Sequence, residues 1–213
     1  PTTSLWYGRP ESETAYKEET VTKAGESGVE TVICYIVLSG TYGEVWLEDG
    51  SIDTTPIDQT ILGTLSANPE AYLQVAIDTT PPNWWLEQNP DECVKLSNGK
   101  LSKQTYASTK WRQDCGEAMK KVLDYLMQQP YANNIAGIKL TGGTTYEWQW
   151  WGMNGNNTVV GDFSSAGLQA FRAWLTETYE TDEALKKSWK DSSVTLETAE
   201  VPTIEARSQS EYQ

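Results

Sequence analysis

The chain contains no histidine. That absence removes Ser-His-Asp and Cys-His catalysis and the commonest nitrogen ligand of protein-bound metals, so acid–base chemistry near neutral pH falls to carboxylates, tyrosines and lysines. Cysteine is scarce: three in 213 residues are too few for a disulfide framework, and their spacing matches no zinc site. Cys34 lies in an apolar run and reads as a core thiol. Cys93 and Cys115 flank a loop and are candidates to pair in an oxidising compartment. Basic residues are also few, 16 against 30 acidic ones, and the net charge of -14 repels phosphate backbones and anionic lipid. Neither nucleic acid nor a membrane surface is therefore an expected partner. No run approaches the roughly 18 apolar residues of a membrane span. Residues 1–8 lack a basic stretch followed by an apolar one, so a signal peptide, if one is encoded, is expected to be already removed.

Phenylalanine is nearly missing as well, with 2 Phe beside 10 Trp and 11 Tyr. Tryptophan and tyrosine join an apolar face to a polar edge, which suits half-wet clefts that hold polar ligands.

The order of elements points to a parallel α/β fold. Ser4 to Gly8 has the composition of a short strand, and Ala15 to Ser27 that of a helix ending near Gly25 and Gly28. Val29 to Leu38 is a β-branched apolar run of the kind found in strands buried on both faces. Ile57, Ile61, Leu62 and Leu65 recur at helical spacing, and Asn68-Pro69 stops that helix. Ala71 to Asp78 is the next buried strand. Lys110 to Gln129 carries Trp111, Cys115, Met119, Val122, Leu123 and Leu126 on one face and closes at Pro130. Ile135 to Leu140 gives a fourth strand. Helices over 166–179 and 182–189 follow, the first capped by Asp162 or Ser164.

Strands alternating with helices predict a partial TIM-type (β/α) barrel of about four βα units, with a parallel sheet and long loops at the strand carboxyl ends. No glycine-rich phosphate loop follows any strand, which argues against the nucleotide-binding versions of this architecture. Two long loops follow strands. The first, Thr79 to Thr109, reads as irregular and holds Trp84-Trp85 beside Pro81-Pro82. The second begins T-G-G-T-T-Y-E-W-Q-W-W-G, from Thr141 to Gly152. Loops leaving one end of a parallel sheet project from the same face, so Trp84, Trp85, Trp148, Trp150 and Trp151 are expected to line a cleft with Glu147. A carboxyl group desolvated by indoles has its charged form disfavoured and becomes a better proton donor near neutral pH. Asp78, at the end of its strand, can bond a sugar hydroxyl or cap the loop that follows.

The segments W-L-E-D-G-S-I-D, N-P-E-A-Y-L, P-P-N-W-W-L-E-Q-N-P-D-E, A-S-T-K-W-R-Q-D, P-Y-A-N-N-I-A-G-I-K-L-T-G-G-T-T-Y-E-W, A-F-R-A-W-L and L-K-K-S-W-K-D occur in order between Trp46 and Asp191. Together they resemble the clan A glycoside hydrolases, and most closely the family 42 β-galactosidase-like (β/α)8 barrels. The resemblance implies that Ile135 to Leu140 is the fourth barrel strand and that Glu147 matches the general acid/base of a retaining hydrolase. It also implies a carbohydrate substrate, no metal and no organic cofactor. In that clan an asparagine that contacts the sugar 2-hydroxyl usually precedes the acid/base; here Tyr146 stands there.

Retaining hydrolysis needs a second carboxylate about 5 Å from the first. In the clan it follows the seventh strand. Glu177, Glu180 and Glu183 lie on or beside helices, and Glu197, Glu200, Glu205 and Glu211 lie in a polar tail, so all read as surface charge. Residues 1–191 are accordingly expected to be the amino-terminal half of a barrel. Residues 192–213 are expected to be a tail leading to a second half, supplied by the same gene product or another chain. Half a barrel leaves its first and fourth strands as open edges. An alternative is a non-catalytic carbohydrate-binding or assembly protein on a truncated barrel. The location implied is extracellular or secreted, with the cytoplasm left open.

Overall fold

A computed structural model of the chain describes residues 2–5, 11–39, 44–143, 148 and 159–208. Two compact units divide it, one of Pro1–Trp85 with Gln113–Gln149 and the other of Leu86–Arg112 with Trp150–Gln213.

The first unit is built on a parallel sheet. Strands β1 (Thr2–Leu5), β2 (Thr31–Val37), β3 (Tyr72–Asp78) and β6 (Ile135–Thr141) lie in the order β1-β2-β3-β6, and every neighbouring pair is parallel. Helices connect them: α1 (Glu11–Glu26) joins β1 to β2, and α2 (Thr55–Ala67) joins β2 to β3. Helix α4 (Thr109–Gln128) precedes β6. Strands β2, β3 and β6 fall close to the apolar runs expected for them, whereas β1 spans Thr2–Leu5 rather than Ser4 to Gly8, a stretch with no apolar run to fix its ends.

Local chemistry sets the ends of these elements. Helix α1 closes on Gly28 at φ 82, where the backbone N–H of Val29 donates to the Ala24 carbonyl at 2.9 Å. A left-handed residue at that point lets the chain satisfy orphan carbonyls, and glycine adopts it without a Cβ penalty. At the start of α2 the Asp53 carboxylate accepts from the Thr55 N–H at 2.8 Å, and at its end Asn68 N–H donates to Thr64 O at 2.9 Å.

The core lies between the sheet and its helices. Val32, Cys34 and Ile36 of β2 and Leu73, Val75 and Ile77 of β3 are at most 2% exposed, as are Ile57 and Ile61 of α2. Each such side chain contributes about 1.5–3 kcal/mol by leaving water. Strand β6 differs: Ile138 is 38% and Leu140 46% exposed, and among the described residues it pairs only with β3. β1 and β6 are thus the edges of the sheet.

A polar tie links α2 to the end of α4. Tyr125 Oη donates to Asp58 Oδ2 at 2.6 Å and Tyr131 Oη donates to Asp58 Oδ1 at 3.0 Å. Burial, then the hydrogen bond to the Asp58 carboxylate, pushes both phenols above their ordinary range. Asp58→Ala leaves two phenols without their acceptor and is expected to cost about 2–4 kcal/mol, read as a lowered urea midpoint.

Among the described residues the second unit holds a hairpin and three whole helices. The segment expected to be irregular, Thr79 to Thr109, instead holds α3 (Asn83–Gln88), a 3-10 turn (Pro90–Glu92) and the antiparallel strands β4 (Cys93–Lys95) and β5 (Leu101–Gln104). Strands of three and four residues are too short to show alternation, which is why the pattern misses them. Helix α5 (Ser165–Tyr179) is capped by Ser164, whose Oγ accepts from Gly167 N–H at 3.0 Å. Asp162 supports that cap: its Oδ1 accepts from Ser164 N–H at 2.9 Å and from Lys95 N–H at 3.2 Å. Helix α6 (Asp182–Trp189) follows, and Leu175 and Leu185 form a core with Val194 and Ala199. A short helix α7 (Ile204–Ser208) ends the described chain. Residues 192–208 thus place two apolar side chains in this core, and Arg172 Nε donates to the Ala199 carbonyl at 2.8 Å.

Candidate active site

The carboxyl ends of the strands are bound side by side. Trp46 N–H donates to Leu38 O at 3.3 Å, Leu38 N–H donates to Asp78 O at 3.3 Å, and Thr79 N–H donates to Thr141 O at 2.9 Å. A continuous rim therefore runs from the end of β2 across β3 to β6. In a parallel sheet this is the edge on which binding loops sit.

Three tryptophans gather beside it. The rings of Trp46 and Trp84 meet edge to face at 5.4 Å and 83°, and those of Trp46 and Trp85 are 6.5 Å apart. Trp84 is half-buried, and its Nε1 donates to Trp46 O at 3.3 Å. Trp85 is 1% exposed, with Nε1 donating to Asp114 Oδ2 at 2.8 Å, so it is a core residue that presents no open face. Prolines before α3 and the indole bonds hold Trp84 in one orientation.

Asp78 is 3% exposed, and its Oδ1 accepts from Thr80 N–H at 3.2 Å and Thr80 Oγ1 at 3.0 Å. Of its two sequence-level roles, loop capping is the one these bonds perform. Next to it, Thr79 Oγ1 donates to Thr141 O at 2.9 Å. Cys115 Sγ lies 3.6 Å from Thr79 O, and its thiol is pushed up to about 12 by burial and then by the charges of Asp78 and Asp114.

Trp148 occupies the β6 end of the rim. Its backbone N–H donates to Gly142 O at 2.6 Å and its Nε1 donates to Leu140 O at 3.1 Å. It has φ 59, an uncommon value for a bulky residue, yet its side chain is 44% exposed. The ring is seated on Gly142, where a Cβ would lie 3.2 Å from Trp148 Cζ3 and 3.0 Å from Thr79 Oγ1. Gly142→Ala must therefore push back both the Trp148 indole and the Thr79 hydroxyl that donates to Thr141 O. It is expected to cost about 1–3 kcal/mol, seen as a lower denaturation midpoint with unchanged far-ultraviolet circular dichroism.

Comparison with known sequences decides the family. The profile of glycoside hydrolase family 42, described as β-galactosidase, matches residues 48–193, more than half of the chain. The chain belongs to glycoside hydrolase family 42.

Solved structures agree on the fold. The β-galactosidase from the psychrophilic Marinomonas ef1 superposes with a TM-score of 0.70 at 19% identity, over 95% of this chain and 30% of that one. The β-galactosidase from the haloarchaeon Halorubrum lacusprofundi gives 0.65 at 18% identity, over 95% and 29%. The catalytic domain of the Paenibacillus polymyxa β-amylase gives 0.66 at 15% identity, over 95% and 52%. A search of curated protein sequences returns no match. The chain is thus an α/β partial barrel that spans about 30% of the first of these β-galactosidases.

Of the residues singled out from sequence, Glu147, Tyr146, Trp150 and Trp151 lie outside the described residues. The family 42 chain brings Trp84 and Trp85 together through Trp46, and Asp78 to the β3–β6 junction beside Thr79 and Thr141. Cys93 and Cys115, the candidates for pairing, are free and buried. Glu177, Glu180, Glu183, Glu197, Glu200 and Glu205 are all exposed, and Glu200 pairs with Arg172 at 2.8 Å. Among the described residues no group of three or more metal-ligating side chains is found, and no helix is long and apolar enough to cross a membrane.

Sequence reading missed Trp46, Asp114 and Gly142. Trp46 follows the β2 strand after a short gap, and that position was the signal available. Asp114 gave none, because an acid one residue from the apolar face of α4 looks like any solvated charge.

Proposed function

We propose that the protein is a retaining, β-galactosidase-like glycoside hydrolase in which Glu147 is the general acid/base and the nucleophilic carboxylate lies outside these 213 residues. What carries the reading is the family 42 match over residues 48–193, a span that includes Glu147 shortly after β6 in the sequence. In such a reaction the acid protonates the glycosidic oxygen while the nucleophile attacks the anomeric carbon. The same residue, now a base, takes a proton from the water that releases the sugar.

Trp84, Trp148 and Trp151 supply apolar faces to the sugar rings, and Trp85 fixes the helix that carries Trp84. Tyr146 offers a phenol toward the 2-hydroxyl, where the clan usually places an amide. Asp78 holds the loop between Trp84 and the rim, with a sugar hydroxyl as its further partner. A second half-barrel, covalently continuous or from another chain, covers the open edges of β1 and β6. The exposed Ile138 and Leu140 support that reading. The substrate is a β-galactoside, and an extracellular site of action fits a polymeric one.

The test is the configuration of the released sugar. A protein containing this chain and the remainder of the barrel, given a nitrophenyl β-galactoside, is expected to release β-galactose first, read by proton NMR within seconds of mixing. Initial α-galactose, or no turnover of any aryl glycoside, would remove the retaining mechanism. One observation favours a non-catalytic carbohydrate-binding protein: every described glutamate downstream of Glu147 is exposed. That alternative requires sugar binding with no turnover in the same assay.

A further inference from the structure

The second unit holds a groove to which the proposed function assigns no role. It measures about 680 Å³ and lies between one face of α5 and the residues around the Pro90–Glu92 turn and the start of α4. That volume is within the ~300–1,000 Å³ typical of small-ligand sites. Ala166, Ala170 and Ala173 recur at helical spacing along it, and their small side chains leave room that larger ones would fill.

Trp174 lines the groove and is 53% exposed. Its ring stacks on Phe171 at 6.1 Å and 21°, and meets Tyr179 edge to face at 6.5 Å. The indole is thus held in position by two rings while more than half of the residue stays open. A flat aromatic face fixed in this way is the surface on which the C–H side of a pyranose ring packs.

The polar lining is of mixed sign. Glu92 and Glu177 accept hydrogen bonds, Gln169 both donates and accepts, and Arg112 donates. The Arg112 guanidinium is kept in place by Nη1 donating to Tyr106 O at 2.7 Å and Nη2 donating to Thr109 Oγ1 at 3.1 Å. Three acids, Asp91, Glu92 and Glu177, stand against two bases, Lys110 and Arg112, so the field favours neither a strong anion nor a strong cation. A neutral ligand dense in hydroxyl groups matches both the aromatic face and the alternating donors and acceptors.

We propose that this groove is a second, non-catalytic saccharide site that takes a neutral oligosaccharide, with one sugar ring stacked on Trp174. It anchors a polymeric chain on the second unit and acts whether or not Glu147 is the acid/base.

The test uses the complete protein carrying Glu147→Gln, so that the sugar is not consumed, with β-1,4-galactotetraose as probe and an oligogalacturonate of equal length as the charged control. Titration calorimetry is expected to show galactotetraose at two sites. Trp174→Ala is expected to weaken one of them about tenfold, the magnitude of one lost aromatic stack. Gln169→Ala with Glu177→Ala, both at exposed helix positions, is expected to weaken the same site. In the otherwise wild-type protein Trp174→Ala leaves kcat and KM for a nitrophenyl β-galactoside unchanged. Galactotetraose binding that is unaffected by either change overturns the proposal, as does tighter binding of the oligogalacturonate. A Trp174→Ala protein that sediments as a smaller species also overturns it, because the indole is then covered by protein. Should no aryl glycoside be hydrolysed, the acid/base assignment falls while the binding comparison still decides this site.

Discussion

Glu147→Gln in the complete enzyme is expected to lower kcat on an alkyl β-galactoside by about 10²–10⁴-fold, the usual contribution of a positioned general acid. The size of the loss depends on the leaving group. An alkoxide cannot depart unprotonated, so the full effect appears in glycosylation. A dinitrophenolate departs without help, so its glycosylation step is little changed and the slow step becomes hydrolysis of the glycosyl-enzyme, which still needs a base. Glu147→Gln is therefore expected to turn over the dinitrophenyl substrate with a burst followed by a slow steady state. Measuring kcat and the burst amplitude for both substrates separates loss of the acid from general damage to the fold. An equal fall for both substrates with no burst would remove Glu147 from proton transfer.

The second large effect concerns stability at alkaline pH. Burial raises all three thiols: Cys34 to about 11, where a bond with Thr64 opposes the shift in part; Cys93 to about 11, with the Glu92 charge adding; and Cys115 to about 12. Unfolded, each ionises near its ordinary value of 9.0. Between these values the unfolded chain binds fewer protons than the folded one, so stability must fall as pH rises. The stabilisation is complete below about pH 9 and is lost progressively toward pH 11 to 12. Cys34 and Cys115 each contribute up to about 1.4 kcal/mol per pH unit, and Cys93, more open to solvent screening, contributes less. Against a typical total of about 5–15 kcal/mol, the loss is expected to be a sizeable part of the stability by pH 10.5. The raised phenols of Tyr125 and Tyr131 add to the slope above pH 10. Urea midpoints measured from pH 7 to 10.5 are expected to be level and then to drop, with a shallower drop in Cys115→Ala. A level profile through pH 10.5 would contradict the burial of these thiols.

Much of the first unit was legible because its signals are local. The apolar runs at Val29 to Leu38 and Ala71 to Asp78 became β2 and β3 within a residue or two, and Asn68-Pro69 stopped α2 where expected. Three features were not legible. The β4–β5 hairpin depends on Gly99 at φ 79 and on the Leu96 N–H donating to Lys100 O at 2.8 Å, with strands too short to show a period. Trp84 and Trp85 look alike in the sequence, yet Asp114, distant along the chain, draws the Trp85 N–H inward and leaves Trp84 half-buried. The polar stretch after Ser192 hides Val194 and Ala199, whose burial depends on α5 and α6 rather than on any periodicity of their own. Long-range partners decided each case, and a single sequence shows only the near neighbours. The proposal of Glu147 as the acid rests on its position after a strand in the sequence and on the family's motifs, and Glu147, Tyr146 and Trp151 lie outside the described residues.

Azide rescue tests the central claim most directly. Glu147→Ala in the complete enzyme, given dinitrophenyl β-galactoside and sodium azide, is expected to regain turnover and to release β-galactosyl azide, because the small anion attacks the glycosyl-enzyme without needing a base. Unimpaired activity without azide, or a product of α configuration, would contradict the assignment of Glu147 as the acid/base.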